Sequence, residues 1–161
     1  MVLHRDRGVA ALRNGRVSLA GHAYVLTFVT QRRQPVFRSF EAARLLIGKL
    51  RDLDVAGQAG TLAFVVMPDH VHWLMRPQTI SLADAVRLVK ARSSRALCSA
   101  FGVAAPLWQA GYYDRAVRRE ADVAAAARYL IGNPVRAGLV DSHWRYPHWD
   151  CAWEISLGEL L

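Results

Sequence analysis

The hydrophobic positions of the chain switch between a strand period and a helix period, which predicts an alternation of the two elements. Between Gly21 and Gln34, the stretch HAYVLTFVTQ is rich in β-branched and aromatic residues and is closed by Pro35, as is typical of a strand. Ser39 to Leu53 predicts an amphipathic helix with Ser39 as its N-cap. Its apolar face is formed by Ala43, Leu46, Ile47 and Leu50.

The same patterns continue through the second half of the chain. The further predicted elements are the strands Thr61–Met67, Val71–Arg76 and Leu107–Val117 and the helices from Ser81 to Leu97 and from Glu120 to about Asn133. The first two of these strands form either a hairpin or one bulged strand, because Pro68 and Asp69 lie between them. The last helix must end before Pro134, since proline has no N–H to donate.

This order of elements favours an α+β fold. A strand, a helix, two strands, a helix, a strand and a helix match a ferredoxin-like split βαβ, an antiparallel sheet with helices on one face. The 161 residues contain no repeat and no low-complexity linker, so we expect a single domain over residues 1–161. Residues 1–20 form a basic N-terminal arm, and residues 141–161 a Trp-rich C-terminal tail that we expect to pack back on the domain.

The charge of the chain points to a polyanionic partner. The net charge is +8 and the sequence pI is about 10.3, which favours nucleic acid binding. Nearly all the cations are arginines, whose forked donors suit phosphate. Candidate DNA contacts are Arg5, Arg7, Arg13, Arg87, Lys90, Arg92, Arg95, Arg115, Arg118 and Arg119, with Trp108 as a residue on which an unpaired base could stack.

Other classes of protein are disfavoured by what the sequence lacks. Cys98 and Cys151 lie far apart and form no CxxC pair, so neither a disulfide framework nor a zinc ribbon is supported. The longest apolar run, Ala59 to Pro68, falls well short of the roughly 20 residues that a membrane helix needs. We therefore expect a cytoplasmic protein with no membrane partner.

The sharpest local motif is His70-Val71-His72 within MPDHVHWLM. On a strand, residues i and i+2 project to the same face, so the two imidazoles can approach one metal ion. The position that a histidine-triad nucleotide hydrolase would need holds Leu74, which excludes that class. No cysteine is near enough in sequence to complete a structural zinc site, so Mg²⁺ or Mn²⁺ is the better match for a basic, phosphate-binding protein.

A second constellation lies on the last predicted helix. Tyr129 and Asn133 are four residues apart and would share one helix face, where a phenol and a carboxamide could reach the same point. The spacing alone equally fits a rim tyrosine and an asparagine that caps the helix before proline. Tyr112 and Tyr113 are rival nucleophiles in a similarly basic context, but they lie on a predicted strand with no polar partner at helical spacing.

Four linked motifs together resemble a known family. MPDHVHWLM, LVKARSSRALCSAFG, LWQAGYYDRAVRREADVAAAARYLIGNPVRAGLV and WRYPHWD are similar, in order and spacing, to the REP-associated tyrosine transposases, which are single-tyrosine HUH relatives of the small insertion-sequence transposases. The resemblance extends from about residue 22 to 150. It implies a ferredoxin-like domain that binds palindromic DNA hairpins and cuts single-stranded DNA beside them.

The resemblance also implies roles for particular residues. His70 and His72 match the HUH pair, Tyr129 matches the nucleophile, and Asn133 occupies the polar metal-ligand position, which is often Gln in the relatives. The implied reaction is metal-dependent and proceeds through a 5′-phosphotyrosine intermediate that a 3′-hydroxyl can later displace. The implied setting is the bacterial cytoplasm, near the nucleoid.

The sequence leaves two alternative functions open. A domesticated relative could bind hairpin DNA without cutting it, and an RNA-hairpin binder would have similar charge. The intact histidine pair and tyrosine favour the enzyme, because a protein that never cuts has no physical need for all three. We expect a monomer with its site within one chain, and a homodimer that exchanges the helix carrying Tyr129 is the alternative assembly.

Overall fold

The computed structural model describes residues 21–152, which form a five-stranded antiparallel sheet with the strand order β4-β1-β3-β2-β5. The strands are β1 (Ala23–Val29), β2 (Ala59–Val66), β3 (His70–Pro77), β4 (Tyr113–Val117) and β5 (Trp149–Cys151). The helices are α1 (Phe40–Val55), α2 (Leu82–Phe101), α3 (Val123–Ile131) and the short α4 (Asn133–Arg136). The predicted basic arm, residues 1–20, and Trp153 lie outside the described residues.

The two long helices begin where the sequence predicts. The Ser39 hydroxyl accepts a hydrogen bond from the Ala42 amide, and the Ser81 hydroxyl accepts one from the Asp84 amide, so both serines are N-caps. Helix α2 continues one turn beyond the predicted end and stops at Gly102, whose positive φ of 64° suits the left-handed position after a helix. No described helix is long and apolar enough to cross a membrane.

Strands β2 and β3 form a hairpin, which decides between the two sequence alternatives. Their register pairs Val65 with His72 and Val66 with Val71, and a bulge lies between Thr61 and Ala63. Because β3 lies at the centre of the sheet, its alternate residues face two different layers. Val71 and Trp73 are fully buried on the side of α1 and α2.

The α+β class with an antiparallel sheet is confirmed, but the expectation that the helices lie on one face is only partly right. Helices α1 and α2 cover one face, whereas α3 packs on the other. The reason is that α3 has an apolar stripe of its own, which includes Ala127 and Leu130 and buries Val65 and Leu74 of the sheet. The candidate site residues His72 and Tyr129 lie on this second face.

Residues 141–152, the described part of the predicted tail, pack back on the domain as expected, and Trp149–Cys151 do so as a strand. Strand β5 extends the sheet by pairing with β2, with Trp149 opposite Val65. Tyr146 is buried and donates a hydrogen bond to the Val66 carbonyl at 2.6 Å. Trp144 stays largely exposed and contacts the Trp149 ring.

The predicted strand Leu107–Val117 is too long, because only Tyr113–Val117 pairs with β1 as a continuous strand. The preceding residues form a loop that is joined to the end of β1 by a bridge between Thr30 and Trp108. Burial of Leu107 and Trp108 in the core, rather than strand pairing, holds this loop in place.

Candidate active site

Strand β3 presents His70 and His72 on the face that α3 shares. The burial of Val71 and Trp73 on the opposite face fixes this orientation, since successive residues of a strand alternate. The two imidazole rings meet edge to face, with their centroids 4.8 Å apart. The strand therefore places two nitrogen ligands side by side, as the H-x-H spacing predicts.

Each imidazole is held at its Nδ1 atom by a neighbouring side chain. His72 Nδ1 lies 2.8 Å from the Thr27 hydroxyl, on the adjacent strand β1, and His70 Nδ1 lies 2.6 Å from an Asp69 carboxylate oxygen. Asp69 also accepts a hydrogen bond from Arg33 at 3.1 Å. Within residues 21–152, the Nε2 atoms of both histidines have no hydrogen-bond partner. This arrangement is typical of metal-binding histidines, whose second nitrogen is oriented by an outer hydrogen bond.

The electrostatics of the pair favour neutral imidazole at His72. Burial, followed by the positive charges of His70 and Arg136, lowers the pKa of His72 to about 4. Burial alone would raise the pKa of Asp69, but hydrogen bonds from His70 and Arg33 hold it below its ordinary value. At neutral pH the site thus combines a neutral His72, which can donate its lone pair to a metal, with an ionised Asp69 beside His70.

A cleft of about 950 Å³ runs between α3 and the sheet and brings the predicted site residues together. His72, Tyr129 and Asn133 all line it, and His70 adjoins His72. The Tyr129 side chain is 64% exposed, so its phenol is accessible from the cleft. Ala125 and Ala126 of α3 also line the cleft, together with Asp122, and the small alanine side chains leave the cleft open beside Tyr129.

Asn133 reaches the cleft by a different route from the predicted one. Helix α3 ends at Ile131, and Gly132 separates it from α4, whose first residue is Asn133. The break follows from Pro134, which supplies no N–H to continue α3 but is favoured in the first turn of a helix. Asn133 and Tyr129 therefore sit on successive helices and still line one cleft.

Among the described residues, the histidines gain no third acidic, cysteine or histidine neighbour that would complete a cluster able to hold a metal ion. The third ligand that the family resemblance implies, the Asn133 carboxamide, lines the same cleft. Two imidazoles and one amide oxygen would leave several positions open, which suits an ion that keeps water and binds a phosphate oxygen.

Arg136 is a cleft residue that the sequence analysis missed. Its guanidinium lies over the Tyr129 ring, 3.9 Å from the centroid, and donates a hydrogen bond to the Tyr129 carbonyl. The signal in the sequence is the spacing of seven residues between Tyr129 and Arg136, about two helical turns, which places both on one side.

The two rival tyrosines, Tyr112 and Tyr113, lie in different surroundings in the structure. Tyr112 packs against the core on the side of α1 and α2, away from the histidines. Tyr113 is exposed on β4, is paired with Thr27 in the sheet register, and lines the same cleft as Tyr129. Tyr113 is therefore the tyrosine that an experiment must distinguish from Tyr129.

The basic candidates fall into two groups on opposite faces of the sheet. Arg115, Arg118 and Arg119 line the cleft, and Arg119 also pairs with Asp122 at 3.1 Å. Arg92 and Arg95 are exposed on α2, behind the sheet. Arg87, on the same helix, pairs with Asp84 at 3.2 Å. The candidates Arg5, Arg7 and Arg13 lie outside the described residues.

Two of the predicted DNA contacts, Trp108 and Lys90, have structural roles. Trp108 is buried, with its ring stacked on Phe37 and its Nε1 atom donating to the Ser93 hydroxyl at 3.0 Å. The prediction that an unpaired base stacks on Trp108 is therefore wrong, because the ring completes the core. The Lys90 ammonium donates to the carbonyls of Gln109, at 2.9 Å, and Gly111. It anchors the loop before β4, and a contact between Lys90 and DNA stays a prediction.

Comparison with known proteins decides the family. The model of the IS200-like transposase family matches residues 18–133, which include the histidine pair, Tyr129 and Asn133. The chain belongs to the IS200-like transposase family. This assignment confirms the family predicted from the motifs and makes the chain a relative of DNA-processing enzymes.

Solved structures support the same fold for this transposase relative. A REP-associated tyrosine transposase bound to a REP hairpin is similar with a TM-score of 0.71 at 20% identity, over 85% of this chain and 81% of that one. A candidate transposase from Deinococcus radiodurans R1 is similar with a TM-score of 0.53 at 28% identity, over 73% of this chain and 94% of that one. No curated protein matches the sequence.

Proposed function

We propose that this transposase relative is a metal-dependent single-stranded DNA endonuclease and strand transferase that acts at palindromic, REP-type hairpins. The observation that carries the proposal is the convergence of His72, Tyr129 and Asn133 on one open cleft, with His70 beside His72. A nucleophile, a pair of metal-type ligands and a polar third group are the components that a tyrosine-dependent phosphoryl transfer needs.

The hairpin partner is supported by charge and by similarity. The similar structure at a TM-score of 0.71 is that of a tyrosine transposase bound to a REP hairpin. The present chain has a net charge of +8, and four arginines line its cleft: Arg115, Arg118, Arg119 and Arg136. Exposed guanidinium groups beside the cleft suit the backbone of a hairpin and of the single strand at its foot.

The residues present fit a divalent cation, as is general in this transposase family. His70, His72 and Asn133 would hold it, because the Nδ1 atoms of both histidines are engaged by Asp69 and Thr27 and their Nε2 atoms have no partner among the described residues. Bound Mg²⁺ or Mn²⁺ would supply neutralisation of the charge that develops on the scissile phosphate. This is the metal set inferred from the motifs.

Tyr129 would perform the covalent step. Its phenol oxygen forms a bond to phosphorus while the bond from phosphorus to the 3′-oxygen breaks, and the departing oxygen takes a proton to become a 3′-hydroxyl. The 5′-phosphate remains on Tyr129 as a phosphotyrosine. Because the phosphodiester energy is retained in that bond, a 3′-hydroxyl can displace Tyr129 and rejoin strands without ATP. Its exposure on the cleft wall leaves Tyr129 accessible to a backbone phosphate.

Trapping the covalent intermediate tests the proposal. A 5′-labelled or 3′-labelled single-stranded oligonucleotide that contains a REP-type palindrome is incubated with the protein and Mg²⁺ or Mn²⁺, and the products are separated under denaturing conditions. We expect a protein adduct with the 3′-labelled strand, which carries the 5′-phosphate, and no adduct in EDTA. Substitution Tyr129→Phe should abolish the adduct.

The matched control is Tyr113→Phe, because Tyr113 lines the same cleft and is similarly exposed. Tyr113→Phe should leave the adduct in place. An adduct that persists in Tyr129→Phe and disappears in Tyr113→Phe would show that the nucleophile is Tyr113, on β4. A retained mobility shift with no adduct in any metal would leave a hairpin-binding protein that does not cut.

A further inference from the structure

Arg136 folds back from α4 onto the end of α3 and makes two contacts with one residue. The guanidinium lies 3.9 Å from the centroid of the Tyr129 ring and also donates a hydrogen bond to the Tyr129 carbonyl. That carbonyl belongs to the last turn of α3, where carbonyls lack partners within the helix and where a positive charge is favourable. One side chain thus holds both the backbone and the ring of Tyr129.

The space for this arrangement depends on Gly132. A Cβ atom added at Gly132 would lie 2.8 Å from Arg136 Nη1, closer than real Cβ contacts allow. Gly132 has right-handed helical backbone angles, φ −73° and ψ −5°, so the backbone itself does not require glycine. Glycine at position 132 is therefore explained by the room that the Arg136 side chain needs, and not by the turn between α3 and α4.

The Tyr129 ring has little else to hold it. It is 64% exposed, and within residues 21–152 no other aromatic or cationic group stacks on it. An exposed tyrosine ordinarily samples several rotamers. A guanidinium fixed at its own carbonyl and stacked on its face restricts the ring to the orientation in which the side chain faces the cleft.

We propose that Arg136 is a positioning residue that clamps the Tyr129 ring for attack, and that Gly132 is the small residue that admits the clamp. This inference rests on the proposed function, because it assigns Arg136 a part in the Tyr129 reaction. Arg136, Tyr129 and His72 line the same cleft, so the clamp acts where the phosphate would bind. Such positioning acts mainly on the rate of attack by Tyr129, because a small displacement of a nucleophile lowers that rate.

Two substitutions distinguish the effect of the guanidinium's position from the effect of its charge. Arg136→Ala removes both the clamp and the charge, whereas Gly132→Ala keeps the charge and displaces the guanidinium. The displaced atom is the far end of a flexible side chain, so the fold should survive Gly132→Ala, and thermal unfolding checks this. Arg145→Ala is the charge-matched control, because Arg145 is exposed, pairs with Asp141 and lies outside the cleft lining.

The reaction readout is the single-turnover rate of adduct formation on the REP-type oligonucleotide, measured beside hairpin affinity. We expect Arg136→Ala and Gly132→Ala each to slow adduct formation by about tenfold, because misplacement of a nucleophile lowers the rate of attack. Hairpin affinity should change by less than about threefold for Gly132→Ala, since the +8 net charge is unchanged. Arg145→Ala should leave the rate of adduct formation unchanged.

A second measurement reports on the environment of the Tyr129 ring and does not depend on the cleavage reaction. The chain has five tyrosines, so labelling with [¹³Cζ]tyrosine gives five resonances, and Tyr129→Phe identifies the one from Tyr129. That resonance should move in Arg136→Ala and in Gly132→Ala and stay in place in Arg145→Ala. An unmoved resonance, or a moved resonance with a wild-type rate in Gly132→Ala, overturns the clamp. A wild-type protein that forms no adduct overturns the proposed function, and the resonance then decides alone whether Arg136 holds the ring.

Discussion

Each imidazole of the histidine pair is oriented by one neighbour, and the two neighbours come from different parts of the chain. Asp69 precedes His70 directly, so the Asp-His contact is local. Thr27 is 45 residues from His72 and meets it because β1 and β3 are paired with Thr27 opposite His72. The H-x-H spacing therefore predicts the two rings, whereas the Thr27 contact depends on sheet register, which one sequence alone does not specify.

Removal of the Thr27 hydroxyl should weaken metal binding at the proposed site without destabilising the fold. Thr27→Val keeps the shape of the side chain and removes the partner of His72 Nδ1, which lies 2.8 Å away. We expect Mn²⁺ affinity to fall by about tenfold, in keeping with the effect of losing an outer hydrogen bond at metal-binding histidines. The measurement is the electron paramagnetic resonance signal of free Mn²⁺ during titration of the protein.

Thr79→Val is the control for this substitution. Thr79 is exposed, its hydroxyl donates to the Gly57 carbonyl at 3.1 Å, and it does not line the cleft. Thr79→Val should leave Mn²⁺ affinity unchanged. Equal affinity in Thr27→Val and wild type would show that the Thr27 hydroxyl does not orient His72 for a metal.

At the scale of elements, the loop before β4 shows why composition alone mispredicts the role of Trp108. A tryptophan near arginines and tyrosines suggests base stacking when only composition is considered. In the structure the loop turns inward, and Trp108 meets Phe28 edge to face at 5.0 Å and stacks on Phe37 at 5.5 Å. Its indole N–H donates to the buried Ser93 hydroxyl of α2, so the Trp108 side chain contacts a strand, a loop and a helix.

The substitution Trp108→Ala should therefore act on stability. Deletion of a buried aromatic side chain typically lowers the free energy of unfolding by about 3–5 kcal/mol, and here the Ser93 hydroxyl also loses its donor. Urea unfolding of Trp108→Ala and wild type measures the difference. Trp144→Ala is the control, since Trp144 is 59% exposed and should change the free energy of unfolding by less than about 1 kcal/mol. A stable Trp108→Ala protein with weak hairpin binding would restore the DNA-contact role.

The elements that could be predicted are those whose signal is local. Helix α1 has its N-cap Ser39 and its apolar stripe within one segment. The strand patterns of β2 and β3 are also local, although the sequence leaves open whether Pro68 and Asp69 form a hairpin turn or a bulge between them. Strand β5 has three residues, and its pairing with β2 is a contact between distant segments, so neither length nor period reveals it. The face of the sheet on which α3 packs similarly depends on Val65 and Leu74, which belong to the strands and not to the helix.

At the scale of the whole molecule, the sheet divides the basic surface in two. The cleft with His72 and Tyr129 lies on the face that α3 shares, and Arg115 and Arg118 line it. Helix α2, with Arg92 and Arg95 exposed, covers the opposite face. A hairpin whose single-stranded foot reaches Tyr129 has its nearest phosphates beside β4. The two groups of arginines should therefore contribute unequally to DNA binding.

Two double variants with the same charge compare the faces directly. Arg115→Gln with Arg118→Gln, and Arg92→Gln with Arg95→Gln, each remove two of the eight net positive charges. Because each phosphate contact contributes about 0.9 to the slope of log affinity against log salt, the cleft pair should reduce that slope by about 2 and the α2 pair by less than about 1. The measurement is the hairpin dissociation constant over a salt series. A larger loss of slope for the α2 pair would place the hairpin stem behind the sheet, so that the strand would have to pass the β4 edge to reach Tyr129.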